Sequence, residues 1–248
     1  MSSDNRKTLV LFDIDGTLTP SRCKATPEML QILKELREKC VVGIVGGSDL
    51  PKQYDQLGDN VLDLVDYSFS ENGLVAYKGR EKIGEASIRD QYTQEQFNRF
   101  INWCLHYIAD LDIPVKSGTF IETRTGMVNV SPIGRNCTYQ QRLQFYELDK
   151  QKGIRHKMVE DMKKEFPEMN LQFSIGGQIS IDVFPVGWTK VYCLKFVEDK
   201  FDDIHFFGDM TAEGGNDYEI FSDKRVKGHT VRNPEDTIAQ VKEIFLKP

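Results

Sequence analysis

Two carboxylates stand one residue apart near the start of the chain, in Val10-Leu11-Phe12-Asp13-Ile14-Asp15-Gly16-Thr17. The apolar run before them has the length and composition of a buried strand closed by a breaker. In an extended chain, residues i and i+2 share a face. Asp13 and Asp15 can therefore look into one cavity at the carboxyl end of that strand, where open α/β sheets bind their ligands. Carboxylates held so close repel unless a cation sits between them or one is protonated. The chemistry such a pair could perform is Mg²⁺-assisted phosphoryl transfer, one carboxyl attacking and the other serving as acid and base. An ordinary Asp-Gly turn after a strand would look the same locally, so the assignment depends on partners further along the chain.

Those partners stand at later strand ends. Val41-Val42-Gly43-Ile44-Val45 runs into Gly46-Gly47-Ser48-Asp49. Ser48 could cap the next helix or hold a phosphate oxygen, and the two roles are compatible because a helix N-terminus is itself an anion site. Trp188-Thr189-Lys190 begins a helix, and the apolar strand Asp203 to Asp209 ends in a further carboxylate before Gly214-Gly215-Asn216-Asp217. Asp-x-Asp-Gly-Thr, then Ser48, Lys190 and an acidic fourth motif, in that order, resemble the haloacid dehalogenase (HAD) superfamily, although the last loop is longer than is usual there. The resemblance implies that Asp13 is a nucleophile forming an aspartyl-phosphate and Asp15 its general acid/base. Ser48 would hold a phosphate oxygen and Lys190 would neutralise the nucleophile and the transferring group, where a lone lysine would otherwise be solvated. Mg²⁺ favours one or two carboxylates, with waters and substrate phosphate completing its shell. Asp13, Asp209 and the Asp15 carbonyl fit that set, with Asn216 and Asp217 orienting them.

The elements that must position these groups alternate strand and helix. Thr26-Pro27 has the form of a helix start, Thr as N-cap and Pro in the first turn, with Met29, Leu30, Ile32, Leu33 and Leu36 at helical spacing. A strand, a helix and a second near-continuous apolar strand predict a parallel βαβ unit. Tyr67 to Phe69, a turn at Glu71-Asn72-Gly73 and Leu74 to Tyr77 predict a hairpin. The fold class expected is α/β, a HAD-like Rossmannoid parallel-sheet core in segments 1–82 and 188–248, interrupted by an inserted α+β cap domain over 83–187.

Within the insertion, Thr93-Gln94-Glu95-Gln96 and Thr138-Tyr139-Gln140-Gln141 each form a capping box opening a helix. A third helix is expected from about Arg155 to Phe166. Alternating segments at Thr119–Arg124, Met127–Val130, Leu171–Ile175 and Gln178–Phe184 predict an antiparallel sheet. The last would turn Gln178, Ser180 and Asp182 to one face and Ile179, Ile181 and Val183 to the other, its polar face meeting solvent or a ligand. Arg124, Arg135 and Arg142 could each be solvated. Arg142 in the first turn of a helix is disfavoured by the macrodipole unless its partner is an anion, and guanidinium groups grip phosphate bidentately.

Thr-Phe-Ile-Glu-x-Arg (119–124), Asn-Val-Ser-Pro-Ile-Gly-Arg (129–135), Phe-Tyr-Glu-Leu-Asp (145–149) and Phe-Ser-Ile-Gly-Gly-Gln-Ile-Ser-x-Asp-Val-Phe-Pro (173–185) resemble the eukaryotic phosphomannomutase family. With the Asp13 and Ser48 motifs, the likeness spans nearly the whole chain. It implies interconversion of mannose 6-phosphate and mannose 1-phosphate through an aspartyl-phosphate and a hexose 1,6-bisphosphate, which also serves as activator, feeding GDP-mannose synthesis. By the same likeness Arg22, Arg124, Arg135 and Arg142 hold phosphate and sugar, and Ser180 and Asp182 hold sugar hydroxyls. A second cation would lie near the Phe221 carbonyl and Asp223, where Val226 replaces a threonine common in relatives and leaves only backbone to ligate. A homodimer through the caps is implied as well. A sugar-phosphate phosphatase would share Asp13, Asp15, Lys190 and Asp209, so only the cap segments separate it from a mutase. A silent sugar-phosphate sensor would have no need of both Asp13 and Asp15.

Composition fits this reading. The 248 residues are 40% hydrophobic and 28% charged, as in soluble globular proteins, with no apolar run of the roughly 20 residues a membrane helix needs. A net charge of −6 argues against nucleic acid as a partner, leaving small-molecule sugar phosphates met by a local cationic cluster. Five scattered cysteines, Cys23, Cys40, Cys104, Cys137 and Cys193, form no C-x-x-C pair and read as reduced thiols in a cytoplasmic protein. The N-terminus shows no apolar secretion signal.

Overall fold

The computed structural model describes residues 6–21, 23–175 and 177–247. The chain forms two compact units, one built from the segments before Ala86 and after Val186, the other from Ala86–Val186 inserted between them in sequence.

The first segment begins with β1 (Thr8–Phe12), buried over almost all its length. Then α1 (Pro27–Arg37) starts where the Thr26 hydroxyl accepts from the Met29 N–H at 3.2 Å, and it buries Met29, Ile32, Leu33 and Leu36 as one stripe. The strand β2 (Val41–Val45) is wholly buried. It leads to α2 (Leu50–Leu57), α3 (Val61–Leu64) and three strands, β3 (Tyr67–Ser70), β4 (Val75–Lys78) and β5 (Glu81–Glu85). In the turn between β3 and β4, Gly73 adopts φ 98°, and a Cβ there would lie 2.8 Å from the Cys193 backbone. Only glycine fits that close approach.

The insertion contains α4 (Ile88–Gln91), α5 (Gln94–Asp110), β6 (Ile121–Thr123), β7 (Val128–Val130), α6 (Tyr139–Lys152), α7 (Ile154–Glu165), β8 (Leu171–Ser174) and β9 (Ile181–Pro185). Both capping boxes form as their residue types predict, Thr93 with Gln96 and Thr138 with Gln141. The chain returns through a 3₁₀ helix, Lys190–Phe196, then β10 (Asp203–Gly208), α8 (Tyr218–Phe221), β11 (Lys227–Thr230) and α9 (Pro234–Val241).

In the larger unit seven strands form one sheet in the order β11-β10-β1-β2-β3-β4-β5, parallel from β11 to β3 and antiparallel thereafter. Alternate residues of β1 feed opposite layers. Val10 and Phe12 pack with Met29, Leu33, Leu36, Ile238 and Val241, while Leu9 and Leu11 pack with Tyr67, Phe69, Cys193, Leu194 and Ile220. A strand covered on both faces needs a continuous apolar run. Because Phe12 lies in register with Phe207 on β10 and Ile44 on β2, three chain segments leave the sheet side by side at one edge.

The inserted unit has a four-stranded antiparallel sheet in the order β6-β7-β9-β8. Glu122, Asn129, Asp182 and Ser174 stand opposite one another in a single row across it. Val128, Val130, Ile181 and Val183 alternate with them and are buried. The strand expected from Gln178 instead begins at Ile181, and residues 177–180 form a turn. Backbone carbonyls of that turn accept from the side chains of Ser131 and Arg155, so they are not engaged in a strand ladder.

His205 on β10 and His229 on β11 stack at 5.1 Å, with Nδ1 of one 2.8 Å from Nε2 of the other. One nitrogen must donate and the other accept, so protonation of both rings breaks the contact. Burial, helped by the neighbouring His229 and Lys227 charges, pushes His205 from 6.5 down to about 4, and burial lowers His229 too. Unfolded, His205 takes up its proton near pH 6.5, and in the native chain only near 4. The pair's contribution is therefore complete above pH 6.5 and lost as pH falls toward 4. Urea midpoints measured between about pH 7 and pH 5 should fall more steeply for the natural chain than for His205→Gln. Equal slopes would remove the pair from the acid response.

Candidate active site

Asp13 comes directly after β1, its N–H donating to the Phe207 carbonyl at 2.9 Å. Asp209 comes directly after β10, and Lys190 opens the 3₁₀ helix. Asp13, Lys190 and Asp217 are 5%, 1% and 0% exposed. The Lys190 ammonium donates to Asp13 Oδ1 and to Asp217 Oδ1, while Asp217 Oδ2 accepts from the Met210 N–H at 3.0 Å. Burial opposes the Lys190 charge, but the two carboxylates outweigh it and hold the ammonium above its ordinary value. Burial pushes Asp13 up to about 6, against the pull of Lys190 and with the push of Asp217. Burial and the Asp217 charge raise Asp209 as well.

Oxygens of Asp13, Asp209 and Asp217 lie within 4.8 Å of one another. Three carboxylates face one ammonium, so the cluster carries excess negative charge in a poorly solvated place. All-oxygen donors at that spacing match Mg²⁺, which binds oxygens at about 2.0–2.1 Å. The residues present therefore fit the metal. Asp13 and Asp209 would hold it, while Asp217, both oxygens engaged, is better placed to orient Lys190. Gly16 makes room for this arrangement: at φ 80°, it would carry a Cβ 2.6 Å from Asp209 Cγ.

A cleft of ≈ 400 Å³ opens on this edge, lined by Asp13, Asp15, Ser48, Gln56, Asp209 and Asn216 among others. Asp15 Oδ1 accepts from Gln56 Nε2 at 2.9 Å, and the same amide reaches Thr19 Oγ1 at 3.3 Å. Gln56 is not among the residues that the sequence singles out. Only its helical spacing from the Ser48 turn could have signalled it, since a glutamine on α2 is otherwise unremarked. Asp49, rather than Ser48, caps α2 by accepting from the Lys52 N–H. The Ser48 hydroxyl has no hydrogen bond among the described residues and lines the cleft.

Other expected residues lie elsewhere. Neither Phe221 nor Asp223 lines the cleft. Both Asp223 oxygens accept from Arg225, at 2.8 and 2.7 Å, which holds that carboxyl below its usual range. Arg22 lies outside the described residues. In the inserted unit Arg124 donates to Glu122 Oε2 at 3.0 and 2.7 Å. Arg135 pairs with the same oxygen at 3.3 Å and donates to Asn129 Oδ1 at 2.9 Å. Asn129 donates in turn to Asp182 Oδ1 at 2.6 Å. Glu122 and Asn129, the connectors, escape sequence reasoning as individual residues, although both fall within the motif segments. Arg142, on the first turn of α6, and the Ser180 hydroxyl make no side-chain hydrogen bond or ion pair among the described residues.

Comparison with known proteins decides the family. The model of the eukaryotic phosphomannomutase family matches residues 29–247. The chain belongs to that family. It is 56% identical over 243 residues to a phosphomannomutase of Schizosaccharomyces pombe, covering 96% of this chain and 95% of that one. To one of Oryza sativa subsp. indica it is 57% identical over 242 residues, covering 98% and 97%. Among solved structures it resembles an Aspergillus fumigatus trehalose-6-phosphate phosphatase, with a TM-score of 0.62 at 17% identity, covering 98% of this chain and 94% of that one. A Plasmodium falciparum IMP-nucleotidase gives 0.61 at 18%, covering 98% and 69%. These structures establish the HAD-type fold, an α/β core with a separate antiparallel sheet. The chain is an enzyme of the isomerase class to which phosphomannomutases belong.

Lys190→Met leaves Asp13 and Asp217 buried without their shared counter-ion. In urea unfolding with a chelator present, it should lose about 3–5 kcal/mol. A loss below about 1 kcal/mol would show that the two carboxylates do not depend on it.

Proposed function

We propose that the protein interconverts mannose 6-phosphate and mannose 1-phosphate, supplying the latter for GDP-mannose synthesis. The observation that supports this reading is the extent of the likeness to phosphomannomutases. It covers 96–98% of the chain at 55–57% identity, so it includes the inserted unit, where a phosphatase sharing Asp13 and Asp15 would differ.

In this reading Asp13 is phosphorylated by a hexose 1,6-bisphosphate activator. Its carboxyl, pushed up to about 6, is still ionised at neutral pH and able to attack phosphorus. Lys190 stays with Asp13 as negative charge moves onto the transferring oxygens, which supplies fixed electrostatic stabilisation rather than a proton. Asp15, steered by Gln56, deprotonates the incoming sugar hydroxyl. That oxygen takes the phosphoryl group from Asp13, giving the sugar bisphosphate and free carboxylate. After the bisphosphate turns end for end, Asp13 attacks the other phosphorus and Asp15 protonates the departing sugar oxygen, restoring phospho-Asp13. Ser48 holds a phosphoryl oxygen. Mg²⁺ on Asp13, Asp209 and the Asp15 carbonyl, when bound, supplies charge neutralisation at the phosphoryl oxygens. Arg124, Arg135 and Arg142 bind the second phosphate, and Ser180 and Asp182 bind sugar hydroxyls. Glu122 and Asn129 hold Arg124, Arg135 and Asp182 in one hydrogen-bonded row for that task.

The test is ³¹P NMR with mannose 1-phosphate, Mg²⁺ and a trace of glucose 1,6-bisphosphate. Mannose 6-phosphate should accumulate only with the bisphosphate present, and Asp13→Asn should abolish it while leaving the fold intact. Inorganic phosphate as the main product would make the protein a phosphatase, and no reaction would favour the sensor.

We also propose that the chain pairs with a second copy through its inserted unit. Tyr139 and Leu143, one turn apart on α6, are 72% and 37% exposed there. Light scattering should give twice the chain mass, and a monomer at micromolar concentration would refute the pairing.

A further inference from the structure

One charged pair in the inserted unit is almost completely buried. Asp149, in the last turn of α6, and Arg155, near the start of α7, are 5% and 3% exposed. Asp149 Oδ1 accepts from the Arg155 N–H at 2.8 Å, and Oδ2 accepts from Arg155 Nε at 2.8 Å. The far end of the guanidinium turns the other way, Nη1 donating to the carbonyls of Gly177 at 3.3 Å and Ser180 at 3.1 Å. Between those two carbonyls, that of Ile179 accepts from Ser131 Oγ at 3.0 Å.

Packing alone does not account for this arrangement. Burying two ions costs desolvation, and an apolar pair of similar volume often holds two helices as well or better. What an apolar pair cannot do is direct N–H donors at two carbonyls of an irregular turn. Arginine supplies that because its donors form a rigid planar fork, and Asp149 fixes which way the fork points. The turn so held, residues 177–180, carries Ser180 and leads straight into Asp182. The hydroxyl of Ser180 and Oδ2 of Asp182 have no hydrogen-bond partner among the described residues, while Asp182 Oδ1 is fixed by Asn129.

We infer that Arg155, oriented by Asp149 and assisted by Ser131, is a positioning residue for recognition of the sugar phosphate, setting the turn from which Ser180 and Asp182 present their oxygens. The inference rests on the reading of those two residues as sugar ligands. Arg155 touches no substrate itself. It acts on binding through the shape of the turn, not on the phosphoryl-transfer step.

Three variants test it in the full-length protein: Arg155→Lys, which keeps charge but loses the fork; the double change Asp149→Leu with Arg155→Met, which removes both charges at similar volume; and Ser131→Ala. Melting temperature, kcat and KM for mannose 1-phosphate are measured with Mg²⁺ and activator at saturation. In both Arg155 variants KM should rise about tenfold, as expected for a recognition geometry lost through one or two hydrogen bonds, with kcat at saturation nearly unchanged. Ser131→Ala should raise KM less, and it decides the matter if the Arg155 variants fail to fold. Folded variants with wild-type KM would overturn the inference, as would a fall in kcat and melting temperature at constant KM, which marks a purely structural pair. Failure of the natural enzyme to convert mannose 1-phosphate would instead overturn the underlying functional reading.

Discussion

The larger unit is organised around one ammonium group held between two buried carboxylates. Removing Lys190, Asp13 and Asp217 from water is costly for each of them taken singly. The cost is met only where all three meet, with Asp217 further anchored by the Met210 N–H. That requirement couples three distant parts of the chain. The end of β1, the start of the 3₁₀ helix and the loop after β10 must arrive at one point within hydrogen-bonding tolerance, or the native state retains an unpaired charge. In the proposed mechanism the same tension serves the chemistry: burial that makes Asp13 a reluctant anion would also strip it of the water that blunts its attack, and the fixed ammonium would keep it ionised enough to react.

Parallel pairing of β10, β1 and β2 provides the convergence. It sends three strand ends out along one edge, and the residues immediately beyond them line the cleft. Side-chain-free positions then permit the close approach. Gly16 leaves space for Asp209, and a Cβ on Gly208 would lie 2.6 Å from Asp217 Oδ2. The inserted unit is built differently, on a sheet whose polar row is cross-linked by side chains, Glu122 to Arg124 and Arg135 and Asn129 to Asp182. The cleft relies on strand ends and burial, the polar row on a hydrogen-bonded surface.

Much of this is legible in residue types and spacing. Leu9 to Phe12 reads as a strand covered from both sides because the apolar run is short, lacks alternation and ends at a breaker. The capping boxes at Thr93 and Thr138 and the Thr26-Pro27 start are readable because capping is local chemistry. Local pattern misleads where tertiary partners override it. Gln178 to Ser180 alternates like a strand, yet Arg155 and Ser131 take its carbonyls. Arg155 itself, in Ile-Arg-His-Lys, is indistinguishable from a solvated helix residue until its partner Asp149 is seen across the α6–α7 turn. Gln56 has no signature in the sequence apart from its helical spacing from the Ser48 turn. Ser48 and Asp49 are both good N-caps, and sequence alone does not choose between neighbours.

The strand order also imposes a schedule on the chain as it is made. Lys190 and Asp13 lie 177 positions apart, and β1, in the middle of the sheet, receives β10 as a neighbour only after the insertion has been synthesised. The inserted unit has its own sheet and takes all its strands from one continuous stretch. It can therefore complete itself while β1 still has one bare edge and an exposed apolar run. During that interval the larger unit is an open template for pairing with other chains. The pairing that buries Asp13 thus makes its own strand the one most in need of protection until the last quarter of the polypeptide emerges.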